Sequence, residues 1–428
     1  MRDNPRLGFF SCPDKHLVCV PQRGTGLALL VAPLASMPDG AVHNEETSMV
    51  TLLSRFFHWA GPPLLAALLL SAPVRAEVLI GQVAPLSGVL ASTGAQMVLG
   101  GKVYFDWVNA NGGIHGAPIR TVVVDDGYKV DETVRLTREL VADPKIVALF
   151  GFAGTANIGK LLQDKVLEDA GIALVAPYTG GEPLRTPFNP WIFHVRAGYA
   201  DEAEHMVKQL VTQGIHRVAV LYQDDAFGKA GLAGVEAALE RRQLKVATAA
   251  PYERNTDNVA AAVKQVLAAQ AQAVIMIAVN RPAAAFVKQY REAGGGGQLF
   301  NISVVDPAEL VRLAGLQHVR GLGISQVVPF PYQPLLPVVR EFHQRLRQFA
   351  PGAEVNYTNF EEYLGAKVLV EALRRAGPRP TRAGVIRALE SMKSFDLGGI
   401  TVGFAPDNRI GSRYVEVTVI SSSGKLLK

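Results

Sequence analysis

The chain has 428 residues, 49% of them hydrophobic and 19% charged, and a formal net charge of +5. That length accommodates two core-forming domains, and the apolar content is too moderate for a multispan membrane protein. The basic surplus is small and no dense Lys/Arg run with interleaved aromatics tracks phosphates, so nucleic acid is not an expected partner.

Residues 1–48 contain Pro and Gly and no sustained periodicity. Leu64 to Leu70 is an apolar stretch, preceded by Met49 and Arg55 and followed by Val74-Arg75-Ala76. Small residues at the −3 and −1 positions suit a signal peptidase cut before Glu77, so 49–76 reads as a secretory signal peptide. Its apolar core is far short of the roughly 20 residues a membrane span needs. Translation is expected to start at Met49; the other reading makes 1–48 an unstructured leader. Both cysteines, Cys12 and Cys19, lie there, so the mature chain has neither a disulfide nor a lipid-anchoring cysteine. A free periplasmic protein is the expectation.

From Glu77 onward, short β-branched runs alternate with longer stretches of 3.6-residue apolar spacing. This pattern builds parallel sheets covered by helices on both faces, so the fold class is α/β. Strands are expected at 78–83, 119–125, 146–150, 173–176, 217–222, 245–252, 273–279 and 299–304. Helices are expected at 96–109, 130–142, 157–170, 201–213, 226–242, 259–269 and 282–293. After Ile324 to Val328 helical sequence dominates from Leu335 to Met392, and β-rich sequence returns at 400–404 and 414–420. A chain that crosses a hinge several times would read this way. Crossings near Arg196–Gly198, Gln326–Pro329 and Gly398–Gly399 assign 77–197 and 326–398 to a first lobe, and 198–325 and 399–428 to a second. The glycine run Gly294 to Gly297 reads as a flexible helix-to-strand loop, with a lid as the alternative.

Several motifs follow one another in order: Ala84-Pro85-Leu86-Ser87-Gly88, Gly94-Ala95-Gln96-Met97, Asn109-Ala110-Asn111-Gly112-Gly113-Ile114-His115-Gly116, Val124-Asp125-Asp126, Gly151-Phe152-Ala153-Gly154-Thr155, Ala176-Pro177-Tyr178-Thr179-Gly180 and Tyr222-Gln223-Asp224-Asp225-Ala226-Phe227-Gly228. Each is weak alone. Together they span nearly the whole mature chain, which resembles the branched-chain amino acid type of periplasmic binding protein. The resemblance implies a type I periplasmic-binding fold: two Rossmann-like lobes with parallel sheets, joined by a three-strand hinge and closing on a ligand. It further implies a small amino acid, amide or organic carboxylate as ligand, an inner-membrane ABC permease as partner, and a periplasmic location. A monomer is expected.

In an open parallel sheet, ligands collect at the carboxyl ends of strands, where helix N-termini present free backbone N–H groups. Gly154 and Thr155 open a helix after a strand, so their backbone donors and the Thr155 hydroxyl suit a carboxylate. From the residues alone, Gly154 makes the turn and Thr155 caps the helix; the resemblance favours ligand binding. The loop holding Tyr178, Thr179 and Gly180 offers a second set of contacts, with Tyr178 either stacking on the ligand or sitting at the rim. It departs from the amino acid binders' loop, which is nearer Gly-Ala-Thr. In the second lobe those binders carry an aromatic and an acid; here the positions hold Asn280-Arg281 and Asp306. Asp306 either pairs with a ligand amine or caps the helix opened by Asp-Pro. Arg281 either recognises a second carboxylate or is a solvated helix-start residue. Tyr222 ends a strand facing the cleft, Asp224 or Asp225 caps the next helix, and Ser87 touches ligand or closes a turn.

Catalysis is the competing reading of any α/β chain. There is no Gly-x-Gly-x-x-Gly turn, no phosphate loop and no Gly-x-Ser-x-Gly elbow, so no catalytic residue and no cofactor are expected. The histidines lack paired metal spacing, and no metal site is expected. A free ligand sensor of the same fold is the remaining alternative to transport.

Overall fold

The computed structural model describes residues 77–428, which lie in one compact unit, Pro73–Lys428. The expected leader and signal peptide fall outside the described residues. The chain enters through β1 (Val78–Ala84), α1 (Ala91–Ala110), β2 (Ile119–Asp125), α2 (Val130–Ala142), β3 (Ile146–Phe150), α3 (Thr155–Gln163), α4 (Val166–Ala170), β4 (Leu174–Val175) and β5 (Ile192–Phe193). These five strands form a parallel sheet of order β2-β1-β3-β4-β5. β3 is apolar and buried at every position, as a strand covered by helices on both faces must be.

The second lobe follows with α5 (Tyr199–Thr212), β6 (Val218–Gln223), α6 (Ala226–Glu240), β7 (Thr248–Tyr252), α7 (Ala260–Ala268), β8 (Ala273–Ile277), α8 (Asn280–Glu292), β9 (Gln298–Asn301), α9 (Pro307–Ala314), α10 (Leu316–Val319) and β10 (Gly323–Gln326). The chain returns to the first lobe as α11 (Pro337–Phe349), α12 (Tyr357–Ala376), α13 (Arg382–Glu390) and the short hairpin β11 (Phe395–Asp396) and β12 (Thr401–Val402), then closes with β13 (Glu416–Ile420) and β14 (Leu426–Leu427). The second sheet runs β14-β13-β10-β9-β8-β6-β7, parallel except for β13 and β14. α12 forms the spine of the first lobe, and 15 of its 20 residues are buried. It packs along α1, where a Cβ on Gly100 would lie 2.1 Å from the Asn359 carbonyl oxygen. Only glycine permits that approach.

The chain crosses between the lobes after β5, after β10, and between β12 and β13. The last crossing comes later than Gly398–Gly399. Both glycines have positive φ and donate their N–H groups to the Asp396 carboxylate, so they turn the β11–β12 hairpin. The chain then stays tied to the first lobe as far as Gly411, whose N–H donates to the His194 carbonyl at 2.7 Å. The helix expected over 157–170 breaks at Lys165, which takes φ of 55° between α3 and α4. Gly294 to Gly297 link α8 to the amino end of β9, where the Tyr290 hydroxyl accepts from the Gly297 N–H; this is the end of the sheet opposite the cleft.

Candidate ligand site between the lobes

Strand order reverses between β1 and β3 in the first sheet and between β6 and β8 in the second. At such switch points the loops leaving adjacent strands diverge and open a crevice at the carboxyl ends. The two crevices face each other across a cavity lined by Leu90, Tyr128, Ala153, Gly154, Tyr178 and Tyr199, with Phe227, Val279 and Val304 completing it from the second lobe. All nine lie two to six residues beyond a strand end, with Tyr199 opening α5 just past the first crossing. The lobes are drawn together, leaving a cavity of only about 20 Å³. The site is a slit between aromatic rings.

Gly154 sets the first-lobe wall. Its φ of 96° is closed to other residues, and a Cβ there would stand 2.5 Å from Asn157 Oδ1 and 2.8 Å from Tyr128 Cε2. α3 starts beside it with no side-chain cap, so its first-turn N–H groups are available at the positive end of the helix dipole. Behind this wall, the fully buried hydroxyls of Thr155 and Thr179 bond each other at 2.6 Å, and Thr179 Oγ1 lies 3.3 Å from the Tyr199 hydroxyl. The pair joins the loops after β3 and β4 and holds Tyr199 at the cavity.

Of the sequence candidates, Gly154 and Tyr178 line the cavity, whereas Thr155, Thr179 and Gly180 support it from behind. Gly180 lets Tyr199 close in, since a Cβ would lie 2.7 Å from that ring. Tyr222 is half-buried within β6, and Ser87 is exposed, its N–H donating to Asp125 Oδ1. Asn280 and Asp306 line a separate, more open recess with Thr93, Gln96 and Glu354. There Asp306 accepts from the Ala308 and Glu309 N–H groups as the cap of α9, while Asn280 accepts from the Asp306 N–H at 2.7 Å. Arg281 pairs with Asp257 on the surface, and Asp225 caps α6. The cavity residues missed in the sequence, above all Tyr128, Tyr199, Phe227 and Val304, had a readable signal: they follow strand ends. A larger groove lined by Phe330, Leu335, Leu336 and Tyr414 touches no strand end of the switch points.

Two arginines tie the lobes together around the slit. Arg254, after β7, donates to Asp225 Oδ2 in its own lobe and to the Tyr128 carbonyl and Asn157 Oδ1 in the other, each at 2.7 Å, and stacks on the Tyr128 ring at 3.9 Å. Arg196 lies wholly buried at the first crossing, over the Tyr178 ring and 3.4 Å from both Glu202 and Glu361. Glu202 accepts from the Ser303 N–H and the Ser303 and Ser325 hydroxyls. Burial pushes Glu361 up to about 7 against the pull of Arg196. Glu362 has no hydrogen-bond partner on either oxygen, and burial next to Glu361 raises it well above the usual carboxylate range. Among the described residues, no group of three or more His, Cys, Asp or Glu could hold a metal ion.

The periplasmic binding protein family model matches residues 77–425. A substrate-binding periplasmic protein of Ralstonia solanacearum superposes with a TM-score of 0.79 at 41% identity, covering 82% of this chain and 99% of that one. A Pseudomonas aeruginosa amino acid binding protein is 26% identical over 316 residues, 72% of this chain and 81% of that protein. A branched-chain amino acid ABC transporter structure from Thermus thermophilus with bound valine shares the fold, with a TM-score of 0.73 at 20% identity over 82% of this chain and 94% of that one. With two switch-point crevices facing one another across a hinge, and a family match spanning all but the last three described residues, the chain belongs to the periplasmic binding proteins, a family that binds its solutes without transforming them.

Proposed function

We propose that this protein captures a small carboxylate in the periplasm and delivers it to an ABC importer by closing its two lobes. The observation that carries this reading is the cavity between the lobes, which takes one wall from each lobe and sets the uncapped start of α3 against it. A carboxylate placed there meets backbone donors and the helix dipole. The ligand then joins the two walls, so its binding energy favours the closed arrangement. The amino acid binding relative and the ABC transporter neighbour support a transport role, and the importer would read the closed surface.

Thermal unfolding tests the reading, on protein unfolded and refolded to strip any co-purified solute. Amino acids, amides, and aliphatic and aromatic carboxylates form the panel. A ligand at about 100 times its dissociation constant stabilises by roughly 2.7 kcal/mol. A raised midpoint with at least one carboxylate is expected; no shift with any carboxylate, while a neutral solute such as a sugar gives one, would overturn the proposal.

A further inference from the structure

We infer that the slit is shaped for a carboxylate whose remainder is apolar and carries no ammonium group. This rests on the binding-protein reading above and names the substrate class within it. An amino acid needs two opposite partners, a donor set for its carboxylate and an acceptor for its ammonium. The start of α3 supplies the first. The second is missing, because no acidic side chain lines the cavity, and the carboxyl groups around it are either committed elsewhere or set behind its wall.

Asp126 accepts from the Tyr128 N–H and the Thr133 hydroxyl. Asp225 is held by Arg254 and caps α6. Glu202 is filled by two serines and Arg196, and Glu361 pairs with Arg196. Asp306 faces the other recess as the cap of α9. Glu362, the one carboxyl lacking a partner, sits behind the cavity wall, where a Cβ on Gly151 would stand 2.7 Å from Glu362 Oε2. It is not among the residues that line the slit, so it does not face an amine held there.

The rings themselves are a second possible seat for a cation. Here guanidinium groups already stack on two of them, Arg254 on Tyr128 and Arg196 on Tyr178, while Tyr199 and Phe227 pack edge to face on each other. The guanidiniums already occupy those two rings, and an ammonium in the slit would also meet the positive end of α3. An anion meets a favourable field at that helix start. The remaining wall, Leu90, Phe227, Val279 and Val304, buries an apolar tail, and the narrowness of the slit suits a flat or slender one.

Isothermal titration of the purified full-length protein with matched pairs tests this. Each pair shares a carbon skeleton and differs in the α-ammonium: leucine against 4-methylpentanoate, and phenylalanine against 3-phenylpropanoate. Glycine betaine probes an aromatic cage, and 4-methylpentanol probes the need for the carboxylate. An ammonium buried without a partner is strongly disfavoured, so at least one deamino acid should bind about 100-fold or more tightly than its amino acid, with the alcohol and betaine undetected. Equal or tighter binding of an amino acid or of betaine overturns the inference and leaves the binding-protein reading standing. Binding of the alcohol but of no carboxylate overturns both.

Discussion

Replacing Arg254 with alanine should weaken ligand binding without removing any residue that lines the cavity. Arg254 makes two bonds across the cleft, to the Tyr128 carbonyl and Asn157 Oδ1, and stacks on Tyr128. Its pairing with Asp225 lies within one lobe, survives opening and does not count toward closure. Charge-assisted hydrogen bonds contribute roughly 1.5–3 kcal/mol each and stacking about 0.5–2 kcal/mol. The side chain is 16% exposed, so water in the open form recovers part of this. A net loss of about 2–3 kcal/mol in the closing equilibrium is a reasonable sum, equivalent to roughly 30- to 150-fold in apparent Kd when binding requires closure. Arg254→Lys, which keeps the charge but not the fork, should fall between. Titration calorimetry with whichever carboxylate stabilises the protein reads the effect. An Arg254→Ala protein with native circular dichroism and a Kd within threefold of the parent would refute the coupling of this arginine to closure.

Other substitutions give separate readouts. Gly154→Ala should destabilise by at least about 1–3 kcal/mol, because alanine cannot hold φ of 96° and its Cβ meets Asn157 and Tyr128; urea unfolding measures it, and a neutral result would show that the loop relaxes. Thr155→Ala removes the shortest of the Thr179 hydroxyl's bonds and leaves those to Tyr199 and the Gly181 N–H, so a stability loss of about 0.5–1.5 kcal/mol with loosening of Tyr199 is expected, and an unchanged unfolding midpoint would remove the threonine pair from the account of the wall. Glu361 is raised from 4.5 to about 7 by burial. An acid with a raised folded pKa stabilises most below its unfolded value, and that contribution is lost as pH rises through the folded value. Urea unfolding between pH 4.5 and 7 should therefore show stability falling, with Glu361 contributing on the order of 3 kcal/mol at most. Glu361→Gln should flatten that slope, and an identical slope in both proteins would show that Glu361 titrates normally.

The alternation of β-branched runs and amphipathic stretches located both sheets because parallel strands buried on two faces are written in contiguous apolar residues. Ile119–Asp125, Ile146–Phe150 and Val130–Ala142 are met residue for residue. β4 and β5 are two residues long, and nothing in a dipeptide such as Ile192-Phe193 separates a strand from a buried loop. The third crossing was hidden for a different reason: Gly398-Gly399 has the composition of a hinge but forms a turn, fixed by the Asp396 carboxylate. The site was half legible. Gly154 and Tyr178 stood out through glycine and loop chemistry, whereas Phe227, Val279 and Val304 follow strand ends but are as apolar as the core, and only the two sheets set face to face show which strand ends meet. The interlobe bonds of Arg254 link residues 97 and 126 positions apart in the chain, which no local pattern records.

A crystal structure of the protein with the carboxylate that most raises its unfolding midpoint tests the central claim most directly. Ligand density is expected between Gly154, Tyr178, Tyr199 and Phe227, with the carboxylate against the first turn of α3 and Arg254 spanning the lobes. Density in the groove beside Phe330 and Leu336, or in the recess beside Asn280 and Asp306, with the slit empty, would contradict it.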